Sequence, residues 1–418
     1  MNHMILQAFF GITTFFVFCW LLSEDRRKVQ AGPVLFGLLA QFGIAALIMH
    51  VGVIRRVFVT ISEGVLAIKD ATLQGTSFVF GFLGGGALPF DVKGNTFIFA
   101  FQVLPMIMVV SALAMLLFYW RVLPAFVKAV SFVMRKTLGI GGALGVCSAA
   151  QIFLGQTEAP LLVRPYLKDM SRSEVFSIMC MGFATTSATI MGLYALVLEH
   201  TIPQSMVHIL TASIISIPAA LSLSRVVVPP SNQTAGDLVM PYEFTGATDA
   251  IARGTGDGMR LFMNVLAMLI VFVALVALVN KILGLFPDVM GAPLTLQGIL
   301  GMLMAPVTWL MGIPWEEAKN AGSLLGIKTI LNEFYAFTEL AKMDDGHLSI
   351  HSRVIMTYAL CGFANVSSIG IMIGGLGGIV PEKRSDIINL SVKALIVGTL
   401  SSCLSGTVVG LLWWFSHS

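Results

Sequence analysis

Gly182-Phe183-Ala184-Thr185-Thr186-Ser187 returns later in the chain as Gly362-Phe363-Ala364-Asn365-Val366-Ser367. Each copy lies inside a long apolar stretch, follows an apolar segment with a polar middle, and precedes a clean apolar stretch. The preceding segments run over about 143–168 and 316–341, with Gly155-Gln156-Thr157-Glu158 and Asn332-Glu333 in their middles. A straight lipid-facing helix does not carry such groups at mid-depth, whereas a re-entrant hairpin shielded by protein tolerates them near its tip. The order of hairpin, broken span and clean span occurs twice, which chance similarity of small-residue helices explains poorly. Two such copies of opposite orientation form the usual frame of a secondary transporter, with substrate held at mid-membrane between broken helices.

Composition agrees with a membrane setting. The 418 residues are 56% hydrophobic and only 11% charged, with a mean hydropathy of +0.88, too little charge to cover a soluble surface. Apolar stretches at 4–22, 33–54, 96–118, 173–198, 204–228, 261–284, 353–380 and 387–415 are each long enough to span. The expected fold is therefore all-α and polytopic, with eight spans, two hairpins and an inverted repeat. With the amino terminus outside, the inner loops and span ends hold 15 Lys and Arg and the outer ones 8 (Arg55, Arg56, Lys69 and Lys93 among them), leaving Lys328 and Lys393 inside apolar segments of the 25 in all. That bias fits the positive-inside rule. The first 22 residues lack a basic leader and read as a retained span rather than a signal peptide. Residues 55–95 are too polar to span and suggest an interfacial helix; residues 229–258 suggest a polar loop and a short helix.

Glu158 and Glu333 stand out, because a carboxylate within a membrane segment is functional by default. Gln156 and Thr157 offer donors and acceptors for a flat heterocycle edge, with Pro160 helping to break the helix. Asn332-Glu333-Phe334 offers a carboxylate for a hydroxylated ligand. Asn365, Ser367 and Ser368 add small hydrogen-bonding groups beside Phe363. Thr185, Thr186 and Ser187 supply the hard oxygens a small cation wants, although such hydroxyls also pack or satisfy backbone between helices. His347 and His351 read as solvated loop residues, and Asp70, Glu199 and Asp237 as solvated charges. The five cysteines form no C-x-x-C pair, so disulfides and metal clusters are not expected. No nucleophile–base pair or metal set accompanies the polar clusters, which argues against an enzyme. Glutamates in both hairpins suit an occluded binding site better than a channel.

Gly155-Gln156-Thr157-Glu158-Ala159-Pro160, Asn332-Glu333-Phe334 and Cys361-Gly362-Phe363-Ala364-Asn365-Val366-Ser367-Ser368-Ile369 together resemble the signature segments of concentrative nucleoside transporters. The similarity extends over nearly the whole chain. It implies a homotrimer in a bacterial cytoplasmic (inner) membrane that imports nucleosides, with no cofactor and no nucleic-acid partner. Residues 1–118 would hold scaffold spans one to three with the interfacial helix, and 119–228 the first transport repeat. Residues 229–258 would link to scaffold span six at 259–290, and 291–418 would form the second transport repeat, moving with the first like an elevator. By the same resemblance Gln156, Thr157 and Glu158 face the nucleobase, with Ile190 as apolar neighbour. Glu333, Asn365 and Ser368 hold the ribose beside Phe363. Sodium-coupled members use an Asn where this chain has Gln151 and a Ser where it has Thr185, with carbonyls matching Leu154 and Thr186. The extra methylene of Gln151 moves its oxygen by ~1 Å or more on standard bond lengths, which tilts the expected coupling ion from sodium toward the proton. Glu158 or Glu333 would then be the proton carrier.

Overall fold

A computed structural model describes residues 2–89, 96–240, 242–287, 293–344 and 346–417. The described elements are helices: α1 (Asn2–Leu21), α2 (Ala31–His50), α3 (Gly52–Phe80), α4 (Phe99–Gln102), α5 (Met106–Tyr119), α6 (Val122–Leu138), α7 (Gly142–Ala150), α8 (Arg172–Ala184) and α9 (Ala188–Val197). They continue with α10 (Ser205–Val227), α11 (Ala247–Leu283), α12 (Leu296–Leu310), α13 (Trp315–Ile330), α14 (Glu333–Leu340), α15 (Ile350–Leu360), α16 (Val366–Ile379) and α17 (Arg384–His417). Short 3-10 segments join them, the longest over Ala159–Asp169. Lys93 and the boundary placed between 290 and 291 lie outside the described residues.

Six stretches are long and apolar enough to cross a bilayer: Ala31–His50, Phe99–Tyr119, Arg172–Val197, Ser205–Val227, Ala247–Leu283 and Pro381–Trp414. The apolar Ile5–Leu21 and Val366–Ile379 are shorter. This is a multi-pass membrane protein with an all-helical fold. Large side chains such as Phe9, Phe10, Leu35, Leu39, Ile270 and Leu278 are exposed on α1, α2 and α11, as expected of a surface that meets lipid rather than water.

The core is built from α8, α10, α15 and α17, which pack on one another and are buried along most of their lengths. Three of these have local reasons to start where they do. Ser171 and Glu174 form a reciprocal capping box at the start of α8, satisfying two orphan amides. Ser349 caps α15 through the Ser352 amide. Arg384 begins α17 directly after the Pro381–Lys383 turn. Buried polar rungs tie outer helices to this core. Gln41 on α2 donates to Ser405 at 3.0 Å, and Ser405 also meets Ser216 on α10 at 3.0 Å. At one end Arg172 pairs with Glu24 and Asp386, while Lys393 reaches Glu24 at 3.1 Å. Lys393, expected inside an apolar segment, is therefore part of a surface charge cluster.

Several expectations need correction. The short helix placed before residue 258 is the first third of α11, a continuous helix of 37 residues, so a boundary at 258–259 cuts through it. Gly254, Gly256 and Gly258 look like breakers in sequence, but two of them are contact points. A Cβ on Gly254 would meet the Ser111 carbonyl at 2.6 Å, and one on Gly258 would meet Met108 Cα at 2.6 Å. Small residues let α11 and α5 approach closely, the usual device of helix packing in membranes. His351 is no loop residue; it is buried on α15 against Trp413, with Nε2 at 3.1 Å from the Gly410 carbonyl. The basic stretch after the apolar 96–118 segment holds α6, a helix of 17 residues. The stretch expected as span three is divided, with a turn at 103–105 between α4 and α5.

Candidate functional site

Each of the two apolar segments with a polar middle folds back on itself. In the first, α7 stops at Ala150, a turn runs through 151–158, and a 3-10 segment returns from Ala159 with Pro160 in its first turn. Proline fixes its own φ and lacks an amide, so it suits a helix start and cannot continue the helix before it. The Glu158 carboxylate accepts the Gly155 amide at 3.2 Å, closing the tip on itself. In the second, α13 ends at Ile330, and Asn332 starts α14 by accepting the Tyr335 amide at 2.8 Å. That cap makes Glu333 the first residue of α14 and aims it inward.

Spans four and seven are broken beside these tips. The stretch Thr185–Ser187 separates α8 from α9, and 361–365 separates α15 from α16. The two breaks touch. Gly362 has φ of +113°, and a Cβ there would meet the Ala184 carbonyl at 2.6 Å. Only glycine supplies both the left-handed backbone and the clearance. The Phe363 amide donates to the Thr185 carbonyl at 3.2 Å. The repeated clusters of the sequence thus meet in space.

A cavity of about 260 Å³ lies where tips and breaks converge, near the small end of the ~300–1,000 Å³ typical of ligand pockets. Gln156, Thr157, Glu158 and Ile190 line it from the first repeat, and Glu333, Phe363, Asn365 and Ser368 from the second. Glu333 is 6% exposed and fully engaged on one side. Tyr194 donates its hydroxyl to Oε1 at 2.7 Å, and Asn365 Nδ2 donates to Oε2 at 2.9 Å. The Asn365 amide is oriented by its second task, since Oδ1 accepts the Ser368 amide at 2.9 Å and the Ser367 hydroxyl at 2.7 Å. One side chain therefore caps α16 and fixes the carboxylate. Ser368 is buried, and Phe363 is half-buried against the core.

Glu158 differs from Glu333 in having cavities on two sides. It also lines a second chamber of about 300 Å³ with Leu154, Thr189, Tyr242, Asp257 and Arg260. None of the residues lining the central cavity is Lys, Arg or His, and two of them are carboxylates. Such a lining suits a neutral polar ligand better than a phosphate-bearing one.

The residues expected around a cation do not line this cavity. Gln151 is fully buried, and its Nε2 donates to the Ile178 carbonyl at 3.0 Å. Its Oε1 has no hydrogen-bond partner among the described residues. Thr185 is buried and donates its hydroxyl to the Met181 carbonyl at 2.9 Å, leaving the oxygen lone pairs open. Leu154 and Thr186 are also buried, and Leu154 lines the second chamber. A buried orphan acceptor is chemically suited to a small cation, since buried acceptors are nearly always satisfied.

Tyr194 and the residues of α11 escaped the sequence reading. Tyr194 belongs to a segment already suspected, and Ser187, expected to offer an oxygen to a cation, lines the central cavity instead. The rest of the wall comes from α11: Leu261, Asn264, Val265, Met268 and Phe272. Asn264, a lone amide in an otherwise apolar run, was the available signal.

Comparison with known proteins adds to this geometry. Residues 208–410 match a family model described as the carboxy-terminal part of Na+ dependent nucleoside transporters, residues 10–83 the amino-terminal part, and residues 100–201 one described as nucleoside recognition. The chain is similar to nucleoside permease NupC of Helicobacter pylori, 35% identical over 98% of both chains. It is also similar to sodium/nucleoside cotransporter 1 of Mus musculus, 34% identical over 98% of this chain and 64% of that one. Among solved structures it resembles CNTnw in an inward-facing substrate-bound state, with TM-score 0.89, 34% identity and 99% of each chain covered.

Proposed function

The chain belongs to the concentrative nucleoside transporter family, and from that premise we propose that it is a cation-coupled symporter importing nucleosides across a bacterial cytoplasmic membrane. The observation that carries the reading is Glu333, held by Tyr194 and Asn365 across the cavity mouth from hairpin residues Gln156–Glu158. A charge-assisted acceptor fixed on one edge keeps its remaining lone pairs for ligand hydroxyls. Glu333, Asn365 and Ser368 take the ribose, with Phe363 packing on it. Gln156, Thr157 and Glu158 take the base, with Ile190 beneath.

The broken spans and hairpins move together as an elevator against α11, whose side chains form the opposite cavity wall. That wall is mostly apolar, which suits a surface that slides. The second chamber, which shares Glu158 with the first, gives the ligand a second station on its way in. The exposed apolar flank of α11 is covered in a homotrimer. Gln151, Leu154, Thr185 and Thr186 form the coupling-ion region. The proton is the proposed driver, because the longer Gln151 spoils sodium geometry; sodium is the second reading, favoured by the orphan Gln151 oxygen.

Calorimetry on the purified protein tests the substrate class. Uridine is expected to bind, and uridine monophosphate is not, because its phosphate would enter a cavity with two carboxylates and no basic side chain. Equal binding of the monophosphate would refute the assignment.

A further inference from the structure

Lys328 is a fully buried cation that none of the chemistry above uses. It sits in the last turn of α13, and its ammonium donates to the Ala359 carbonyl at 2.8 Å. Ionisable groups acting on it are Cys403, Glu333 and Cys361. Burying an ammonium costs several kcal/mol unless partners compensate, so its retention there asks for a reason.

The carbonyl it meets belongs to the last turn of α15, where helix carbonyls lack amide partners and carry the negative end of the helix dipole. The amide that would have continued the helix, that of Phe363, is instead given to Thr185. Lys328 therefore supplies both a donor and a positive charge at the break. Its rung runs between the same two segments as the rung from Asn365 to Glu333 at 2.9 Å. One rung faces the cavity and the other lies behind it. Ser402 of α17 holds the break from a third side, donating to the Cys361 carbonyl at 2.8 Å.

The first repeat has a comparable rung, but it lands inside α8, which runs on to Ala184, rather than in a last helical turn. There the hairpin residue is Gln151, donating to the Ile178 carbonyl at 3.0 Å. Ile178 lies four residues before the repeated glycine, Gly182, and Ala359 lies three before its counterpart, Gly362. The rung in the first repeat is a neutral amide with an orphan oxygen; the rung in the second is an ammonium.

We propose that Lys328 is a tethered cation, filling permanently in the second repeat the role that the co-transported cation fills in the first. It thereby keeps the sugar half of the site assembled whether or not that cation is bound. The inference rests on the proposed function for the placing of cation and ribose. Lys328 is a positioning residue, since it does not line the cavity and acts through the Ala359 carbonyl and the charge of Glu333.

The test is calorimetry with uridine and 2′,3′-dideoxyuridine on the full-length purified protein. One buffer is sodium chloride at mildly acidic pH, and the other choline chloride at alkaline pH. In the unsubstituted protein, cation removal is expected to weaken both ligands alike, so the ratio of their Kd values stays within about twofold. In Lys328→Met that ratio should fall about tenfold in both buffers, because the lost discrimination is a hydrogen bond to a charged group. Lys328→Arg should retain it. A purely structural role would lower stability and weaken both ligands equally, leaving the ratio intact, and that result overturns the proposal. So does a ratio that collapses on cation removal in the unsubstituted protein, a measurement that stands even if Lys328→Met fails to fold. Absence of uridine binding in either buffer would instead refute the nucleoside reading underneath.

Discussion

Glu333→Gln removes one charge and almost no volume, and its effect can be worked from the contacts. Asn365 must keep donating to position 333, because its own oxygen is committed to the cap of α16. The glutamine oxygen therefore turns to Asn365 and its amide to Tyr194, whose hydroxyl rotates to accept. Asn365 stays satisfied and Tyr194 keeps one hydrogen bond while its own proton loses its acceptor, so the fold should survive with a modest loss of stability. The ligand loses an ionised acceptor, and a hydrogen bond to a charged group is worth about 1.5–3 kcal/mol. That predicts a ~10- to 150-fold weaker Kd for uridine. Nucleosides lacking a sugar hydroxyl should lose less, because the partner they miss is already weakened. The assay is calorimetry beside uptake in reconstituted vesicles, with elution volume as a check on assembly. Uridine affinity within about twofold of the unsubstituted protein would remove Glu333 from the site.

Gln151→Asn shortens the amide and should add sodium stimulation of uptake to a protein otherwise indifferent to replacement of sodium by choline; no change would remove residue 151 from the cation region. Gly258→Val places a branched side chain where a single Cβ already meets Met108 Cα at 2.6 Å, so thermal unfolding should show a loss of about 1–3 kcal/mol or more from overpacking. An unchanged melting point would mean that α11 and α5 do not depend on this contact. The hydrogen bond from Arg172 holds the Glu24 carboxyl below its usual value, with Lys393 assisting. Because that pKa is lowered in the fold, the cluster's contribution is present above the ordinary carboxylate value and fades as pH falls through the lowered one. Thermal melts should therefore show Glu24→Gln converging with the unsubstituted protein only in acid, and a difference that persists there would contradict the pairing.

The hairpins, the broken spans and their convergence were legible because membrane burial makes polar groups conspicuous. Glu158, Glu333 and the Gly182 and Gly362 clusters could not be ordinary lipid-facing residues, and the structure brings their neighbourhoods together. Less was legible where a residue type has two physical uses. The α11 glycines serve equally as breakers and as contact points, and only the neighbouring α5 backbone decides between them. Tyr194 looks like any aromatic in an apolar span until Glu333 is placed 2.7 Å from its hydroxyl. His351 was misplaced because a polar run precedes it, although the helix starts at Ile350 and carries it into the core. Lys328 resisted interpretation because its partner is a backbone carbonyl, which no side-chain pattern reveals.

The central claim is concentrative, cation-driven nucleoside transport, and vesicle uptake tests it most directly. Purified protein is reconstituted into liposomes, and radiolabelled uridine is followed under an inward sodium gradient, an inward proton gradient, or neither. The account predicts chemically unchanged uridine accumulating above its external concentration under the proton gradient, with collapse on adding a protonophore. Accumulation under the sodium gradient alone would reassign the driver and leave the symporter intact. Uridine that merely equilibrates under every gradient would contradict the account.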